Sequence, residues 1–471
     1  MSEPERYALS MRGAWLLLGT LALLVVIAVP DLGAGGWNFR PGHVEPRGVF
    51  APLVRAAHRR WDFGFIRTPG VLAGLAVAAA AVGIAWFRRR AWLPVALTAA
   101  VLLCLLVPAV LLQAGLRQST APWLYTNDST YQIEIAGDLV RHGHNPYGHD
   151  YSNSGLERFY GLDGSVSAQT RAHQVALRHF AYFPGTVELA FLWRLLPGPL
   201  DDFRLLVALA TLGLAAAALV FPGRLAVRLA LGASLAGNPL VVRAAWFGTA
   251  DAPSLLALVL AFALAMRSRW VSAGVLLGAA VLMKQFALVA LPFLAVLAWR
   301  RGGRPAFARA GVGFAAVAAA GILPFLIADP GALWSDTIHY GASTYRIIGY
   351  GLASLLLRAG VIDNRFGYYP FAWLALFVWA PVTAYLLWAY RRAPQLWWGA
   401  VYFAVSIFLL LFLGRVFQTS YLVWPLAGIA LAGLIAAAEL VARHDHDRPG
   451  EVAGLLHDQG IPPGPARAED R

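Results

Sequence analysis

Residues 273–295 read AGVLLGAAVLMKQFALVALPFLA, an apolar stretch cut in two by Lys284. A bilayer crossing takes about 17–25 predominantly apolar residues, and this stretch is long enough. Lys284 is the only lysine among 38 Lys and Arg residues. An ammonium within hydrocarbon is costly and marks a pathway, a counter-ion or a ligand. The other reading is a headgroup-level turn between two short helices, 271–283 and 286–299, with the side chain snorkelling to water. Both readings put Lys284 near an interface where a lipid phosphate sits, and both describe a membrane protein.

The rest of the chain agrees. Of 471 residues 59% are apolar and 13% charged, with a mean hydropathy of +0.60, whereas soluble domains carry about a quarter charged residues. The net charge of +13 comes from short clusters beside apolar runs, at Arg88–Arg90, Arg267/Arg269, Arg300/Arg301/Arg304 and Arg391/Arg392. Cytoplasmic loops carry such clusters, so the charge reads as topology and excludes a nucleic-acid partner. The single cysteine, Cys104, excludes an internal disulfide framework.

The expected fold is an all-α integral membrane protein of about twelve transmembrane helices, with a large extracytoplasmic loop after the third. Spans are predicted at 13–30, 70–87 and 91–113, the first retained as an anchor. Outer loops follow at 116–183 and 328–369, and late spans lie at 308–327, 370–390, 395–413 and 421–440. The run at 184–197 is too short to cross. Residues 1–90 form an N-terminal addition, 91–440 the membrane domain, and 441–471 a disordered cytoplasmic tail.

Polar residues with chemical potential gather in the outer segments. Residues 127–147 read NDSTYQIEIAGDLVRHGHNPY, with Asp128 and Tyr131 one helical turn apart. Asp128 has two readings, a general base for a hydroxyl nucleophile and a helix cap. Asp251, beside Trp246 and Phe247, is either a cap or the acid of a sugar-binding wall. The loop 328–369 contributes Asp336, His339, Tyr340, Tyr345 and Arg346, and the mouth of the last helix pair contributes Arg415 and Gln418. Arg415 suits phosphate through its planar donor fork or serves as an interfacial anchor. The histidines 142, 144 and 149 match no zinc spacing, and no cofactor is expected.

The ordered set resembles the GT-C polytopic glycosyltransferases, and within them the polyprenyl-phosphate-mannose-dependent mannosyltransferases. The matching pieces are D-x-x-x-Y…G-x-N-P-Y at Asp128–Tyr147, Tyr182–Pro184, N-P…G-x-x-D at Asn238–Asp251, A-G-x-x-L-G-x-A…K at Ala273–Lys284 and R-x-F-Q…W-P at Arg415–Pro425. The resemblance implies a catalytic acid at Asp128 and covers residues 91–440. Many relatives carry two acids there, where this chain has Asn127-Asp128.

The expected activity is transfer of a hexose, mannose as first guess, from a polyprenyl-phosphate donor to a lipid or glycan acceptor outside the cytoplasmic membrane. Asp128 is the base, with Tyr131, Asp251, Lys284, His339, Arg346, Arg415 and Gln418 as substrate ligands. The rival is a secondary transporter or flippase, favoured by a charge inside Gly-rich spans. A non-catalytic scaffold is the third option.

Overall fold

The computed structural model describes residues 128–157, 175–223, 225–238, 240–241 and 248–447, with scattered positions between 47 and 118. The expected spans at 13–30, 70–87 and 91–113 and the tail beyond 447 lie outside the described residues.

Helix α1 (Asp128–Arg141) is followed by α2 (Pro184–Trp193), which starts on a proline whose missing N–H would be unpaired there anyway. Ten residues reach about 15 Å, half a hydrocarbon core, so α2 does not cross. It packs on α1 where Gly137 abuts Ala190; a Cβ on that glycine would lie 2.8 Å from the Ala190 carbonyl carbon. Arg194, just after α2, ties the pair to Asp138 and Asp201.

The membrane-type helices begin with α3 (Phe203–Ala217), capped by Asp202 through the Arg204 N–H at 3.0 Å. Then come α4 (Leu225–Gly237), α5 (Asp251–Met266) and α6 (Trp270–Met283). The break expected at Lys284 is present: its backbone is extended, at φ −150° and ψ 119°, and a 3-10 segment, Gln285–Ala290, follows.

Helix α7 (Leu291–Ala328) reverses within itself at Gly303, whose φ of 62° and ψ of −156° belong to a region open essentially to glycine alone. Residues 291–302 return to the start of α6, where Gly302 faces the Trp270 ring, and 304–328 then run beside α6. That second contact is close. Cβ atoms on Gly274 and Gly313 would lie 1.9 Å from the Ala310 carbonyl oxygen and 2.3 Å from that of Val271. Small residues allow such backbone approach in membranes, where apolar association has no water to drive it.

After α7, Asp329 caps α8 (Pro330–Trp334) through the Ala332 N–H at 2.9 Å, and a π-helix spans Ser335–Thr344. The expected outer loop is therefore partly helical. Strand β1 (Ile348–Gly349) pairs in parallel with β2 (Val416–Phe417), and α9 (Leu352–Arg358) follows β1. Helix α10 (Phe371–Leu374) continues through a π turn into α11 (Ala380–Arg392). Then α12 (Trp398–Leu413) and α13 (Val423–Asp447) complete the bundle.

Among the described residues the protein is almost wholly helical. Four stretches are long and apolar enough to cross a membrane by length and composition: Phe203–Val220, Gln285–Ala328, Phe371–Arg392 and Thr419–Leu440. Four shorter apolar helices accompany them, Val227–Gly237, Asp251–Met266, Trp270–Met283 and Trp398–Leu413. Ile327, Trp373, Phe377 and Leu440 are more than half exposed, an outer surface suited to hydrocarbon.

The bundle has two chemically different ends. At one, arginines donate to the carbonyls that helix termini leave unpaired: Arg301 to Ala265 and Met266, Arg300 to Tyr390 and Ala393, and Arg267 to Val220. At the other end lie Asp128, Asp251, Lys284, Asp336 and Arg415.

Candidate functional site

Asp251 opens α5 and is buried. Its Oδ1 accepts a hydrogen bond from the Trp424 indole N–H at 2.9 Å, and the Lys284 Nζ stands 3.6 Å from the same oxygen. Lys284 is also buried, with its ammonium 5.2 Å from the Tyr182 ring centre and 5.5 Å from that of Phe286. Phe286 meets Tyr421 and Trp424 edge-on. Three separate elements thus close around one ion pair: the start of α5, the α6 break and the start of α13.

The break is held from the side. The Thr186 hydroxyl donates to the Met283 carbonyl, the Ser254 hydroxyl donates to the Ala280 carbonyl at 2.7 Å, and Gly185 lets α2 approach Leu282. Lys284 therefore lies in a polar, aromatic niche rather than in hydrocarbon, and both sequence readings of it are partly met: it is a turn, and it is buried.

Above this niche stands Asp128. Its Oδ1 accepts from the Ser129 N–H at 2.8 Å, which is the local contact of a residue opening a helix. The next turn is anchored by the Thr130 hydroxyl on the Gly248 carbonyl at 2.7 Å. The charge of Asp128 acts on three nearby tyrosines. Burial pushes the Tyr182 hydroxyl well above its ordinary value; a hydrogen bond with Ser129 opposes this, and the charges of Asp128 and Asp251 add to it. Tyr340 is raised by burial, then by Tyr345, Asp128 and Tyr182. Tyr345 is raised by burial and then by Asp128, with the Arg346 guanidinium opposing through its charge and a side-chain hydrogen bond. Asp128, Tyr182, Tyr340, Tyr345 and Arg346 thus share one locality, and Tyr182 joins it to Lys284.

Arg415 is buried behind that wall. It donates to the Tyr345 carbonyl at 2.7 Å and the Gly367 carbonyl at 3.2 Å, and its Nη2 is buried with no hydrogen-bond partner. It orients the Tyr345–Arg346 segment and keeps one donor uncommitted, as an anion site would.

Three of the expected ligands sit in other surroundings. Tyr131 shares a helix face with Asp128, but its hydroxyl donates to the Ser154 carbonyl at 2.6 Å and its ring joins the core beneath the first loop. His339 is exposed; the next residue, Tyr340, is the buried one. Gln418 is exposed, and its carbonyl only receives the Tyr421 N–H at 3.0 Å as the chain turns into α13.

Sequence reasoning passed over Trp424, Tyr421, Phe286 and His179. Nothing in the sequence around Trp424 signals a bond to a residue 173 positions away. His179 carried no pattern at all. Among the described residues no group of three or more His, Cys, Asp or Glu side chains is arranged to hold a metal. What the site offers is a carboxylate beside an aromatic wall, a buried cation and two arginines. Compared with protein-family models, curated proteins and solved structures, the chain matches none.

Proposed function

We propose that the protein is a multi-pass membrane glycosyltransferase that moves a hexose from a polyprenyl-phosphate donor to a hydroxyl of a lipid or glycan acceptor. The observation that carries this reading is the convergence of Asp128, the tyrosines 182, 340 and 345, Arg346 and Lys284 at the end of the bundle opposite its arginine-capped end. By the positive-inside rule the arginine-capped end faces the cytoplasm and the site faces outward, in a cytoplasmic membrane crossed about twelve times. The motif order of a GT-C enzyme of the polyprenyl-phosphate-mannose type supports mannose as the sugar.

In this mechanism Asp128 takes the proton of the acceptor hydroxyl while that oxygen attacks the anomeric carbon. The bond from that carbon to the phosphate oxygen breaks, and its electron pair leaves with the polyprenyl phosphate. Lys284 and Arg346 offset the charge that develops on the leaving group, and the buried Nη2 of Arg415 adds a third donor. Asp251 is the counter-ion of Lys284, and at 3.6 Å the pair is loose enough for the lysine to meet a second anion. Asp128→Asn removes the base and keeps an acceptor oxygen for Ser129. Turnover of labelled polyprenyl-phosphate mannose is expected to fall about 100-fold or more with the fold unchanged; near-normal turnover refutes the assignment.

A second reading, a transporter of a small or lipid-linked polar substrate, draws on the interrupted helix and buried ion pair at Lys284, features that transport pathways share. Substrate flux into proteoliposomes without a glycosylated product decides for it.

A further inference from the structure

Three buried acids, Glu134, Asp202 and Asp336, have no part in that mechanism, and the last of them is paired with a histidine. Asp336, on the π-helix, is almost completely buried and accepts three N–H donors. These are the Gly148 N–H at 2.9 Å, the Phe180 N–H at 3.1 Å and His179 Nδ1 at 2.6 Å. Two backbone N–H groups already point at this carboxylate, and the matching arrangement for the third contact turns the Nδ1 hydrogen of His179 toward it and leaves Nε2 as a lone-pair acceptor. The rest of the residue is equally fixed. The Gln132 amide, one turn along from Asp128, donates to the His179 carbonyl at 2.8 Å. The imidazole lies flat on the Tyr340 ring, 4.6 Å between centres at 22°. Tyr340 in turn meets Tyr345 edge-on at 5.3 Å, and both feel the charge of Asp128. The His179 side chain is 22% exposed against 2% for Asp336, so the pair has a sealed side and an open side.

A purely structural clasp needs neither a titratable ring nor a water-accessible one, since a backbone or amide donor would serve Asp336 as well. An imidazole held in one tautomer by a buried carboxylate is the arrangement that passes protons near neutral pH.

We propose that His179, aligned by Asp336, is a proton-transfer group of this site, carrying to solvent the proton that Asp128 removes from the acceptor hydroxyl. This role rests on the transferase reading above. The balance is simple. The acceptor O–H bond breaks as its oxygen bonds to the anomeric carbon, and the proton goes to the Asp128 carboxylate. It then moves through water to Nε2 of His179 and on to bulk water, while the Asp336 carboxylate accepts from Nδ1 throughout. Around the dyad, Tyr340 stacks on the ring, Tyr147 and Tyr151 lie within the field of Asp336, His149 meets Tyr151 edge-on, and Arg178 precedes His179 in the chain.

The test has two arms. In wild-type protein without substrate, diethylpyrocarbonate at neutral pH is expected to modify His179 at Nε2, and Asp336→Asn, which frees the tautomer, to shift label toward Nδ1. An unmodified His179 means a sealed ring and overturns the proposal whatever the protein transfers. In the transfer assay, His179→Gln keeps a donor for Asp336 but cannot carry a proton. Its kcat is expected to fall on the order of 100-fold with KM unchanged, one inflection of the wild-type pH profile to vanish, and added imidazole to restore rate. A His179→Gln enzyme with a wild-type pH profile, or one that imidazole does not rescue, refutes the relay. Absence of transfer by the wild type refutes the transferase reading and the relay's role in it, and the labelling arm then still reports whether the dyad is open.

Discussion

The ion pair between Asp251 and Lys284 makes a prediction that does not depend on any activity. At 3.6 Å the attraction between unit charges is about 4–5 kcal/mol at an effective dielectric constant of about 20. Removing both groups from water costs energy of similar size, so the pair as a whole contributes little net stability. Removing one partner is different, because the remaining charge stays buried and unpaired. Lys284→Met is expected to destabilise by about 3 kcal/mol, part of it from the lost cation contacts with Tyr182 and Phe286. Asp251→Asn keeps an oxygen for Trp424 but leaves the ammonium without a counter-ion, and is expected to cost a similar amount. The double variant should cost clearly less than either single one, a coupling of about 3 kcal/mol or more. Reversible unfolding in mixed detergent micelles, run on all four proteins, measures it. Additive effects would mean that the two side chains do not sense each other and that the niche is wet.

Two further expectations concern the backbone and the aromatic wall. Gly303→Ala places a Cβ where φ is 62° and ψ is −156°, so it should lower stability by about 1–3 kcal/mol in the same unfolding assay, whereas Gly311→Ala, whose Cβ would meet nothing within 4 Å, should not. Tyr182, Tyr340 and Tyr345 hold their protons more tightly than the ordinary value of 10.0 because they are buried. Each ionises first in the unfolded chain, so its stabilising contribution is complete below about pH 10 and is lost as pH rises further. Following tyrosinate absorbance on alkaline titration, substitution of any of the three by Phe should leave the first, surface-tyrosine phase unchanged and reduce the phase that accompanies unfolding.

Local chemistry made parts of this fold legible. Lys284 interrupts an apolar run, and no helix carries an ammonium through hydrocarbon cheaply, so the break between α6 and the 3-10 segment follows from one residue. The last helices follow from the length of apolar runs between Arg391/Arg392, Gly414 and the charged end of the chain. Asp128 and Asp251 each precede a helical stretch, and each does open a helix. The partners of those acids were not legible. Trp424 lies 173 residues from Asp251, and Asp336 lies 157 from His179; only packing brings them together. Tyr131 shows the limit most clearly. Helical spacing correctly puts it on the face of Asp128, but the loop beyond α1 folds back and supplies the Ser154 carbonyl, which no periodicity encodes. Gly303 misled in the opposite direction, since an arginine cluster reads as a loop and the chain instead turns on a single glycine.

The arginines that mark the sidedness of the sequence also terminate the helices. Arg300, Arg301 and Arg267 each donate to carbonyls at the ends of neighbouring helices, where cations also complement the helix dipole. One set of residues thereby satisfies the orphan acceptors of several helices at this end. At the opposite end every buried charge has a named answer. Asp251 has Lys284 and Trp424, Asp336 has His179 and two amides, and Arg415 has two carbonyls with one N–H left over. Among the described residues seven ionisable side chains are buried, Glu134, Asp202, Arg204, Asp251, Lys284, Asp336 and Arg415, and none of them is a carbonyl-capping arginine of the other end. The depth of these groups costs stability, and that asymmetry is what supports the proposal that this end performs the chemistry.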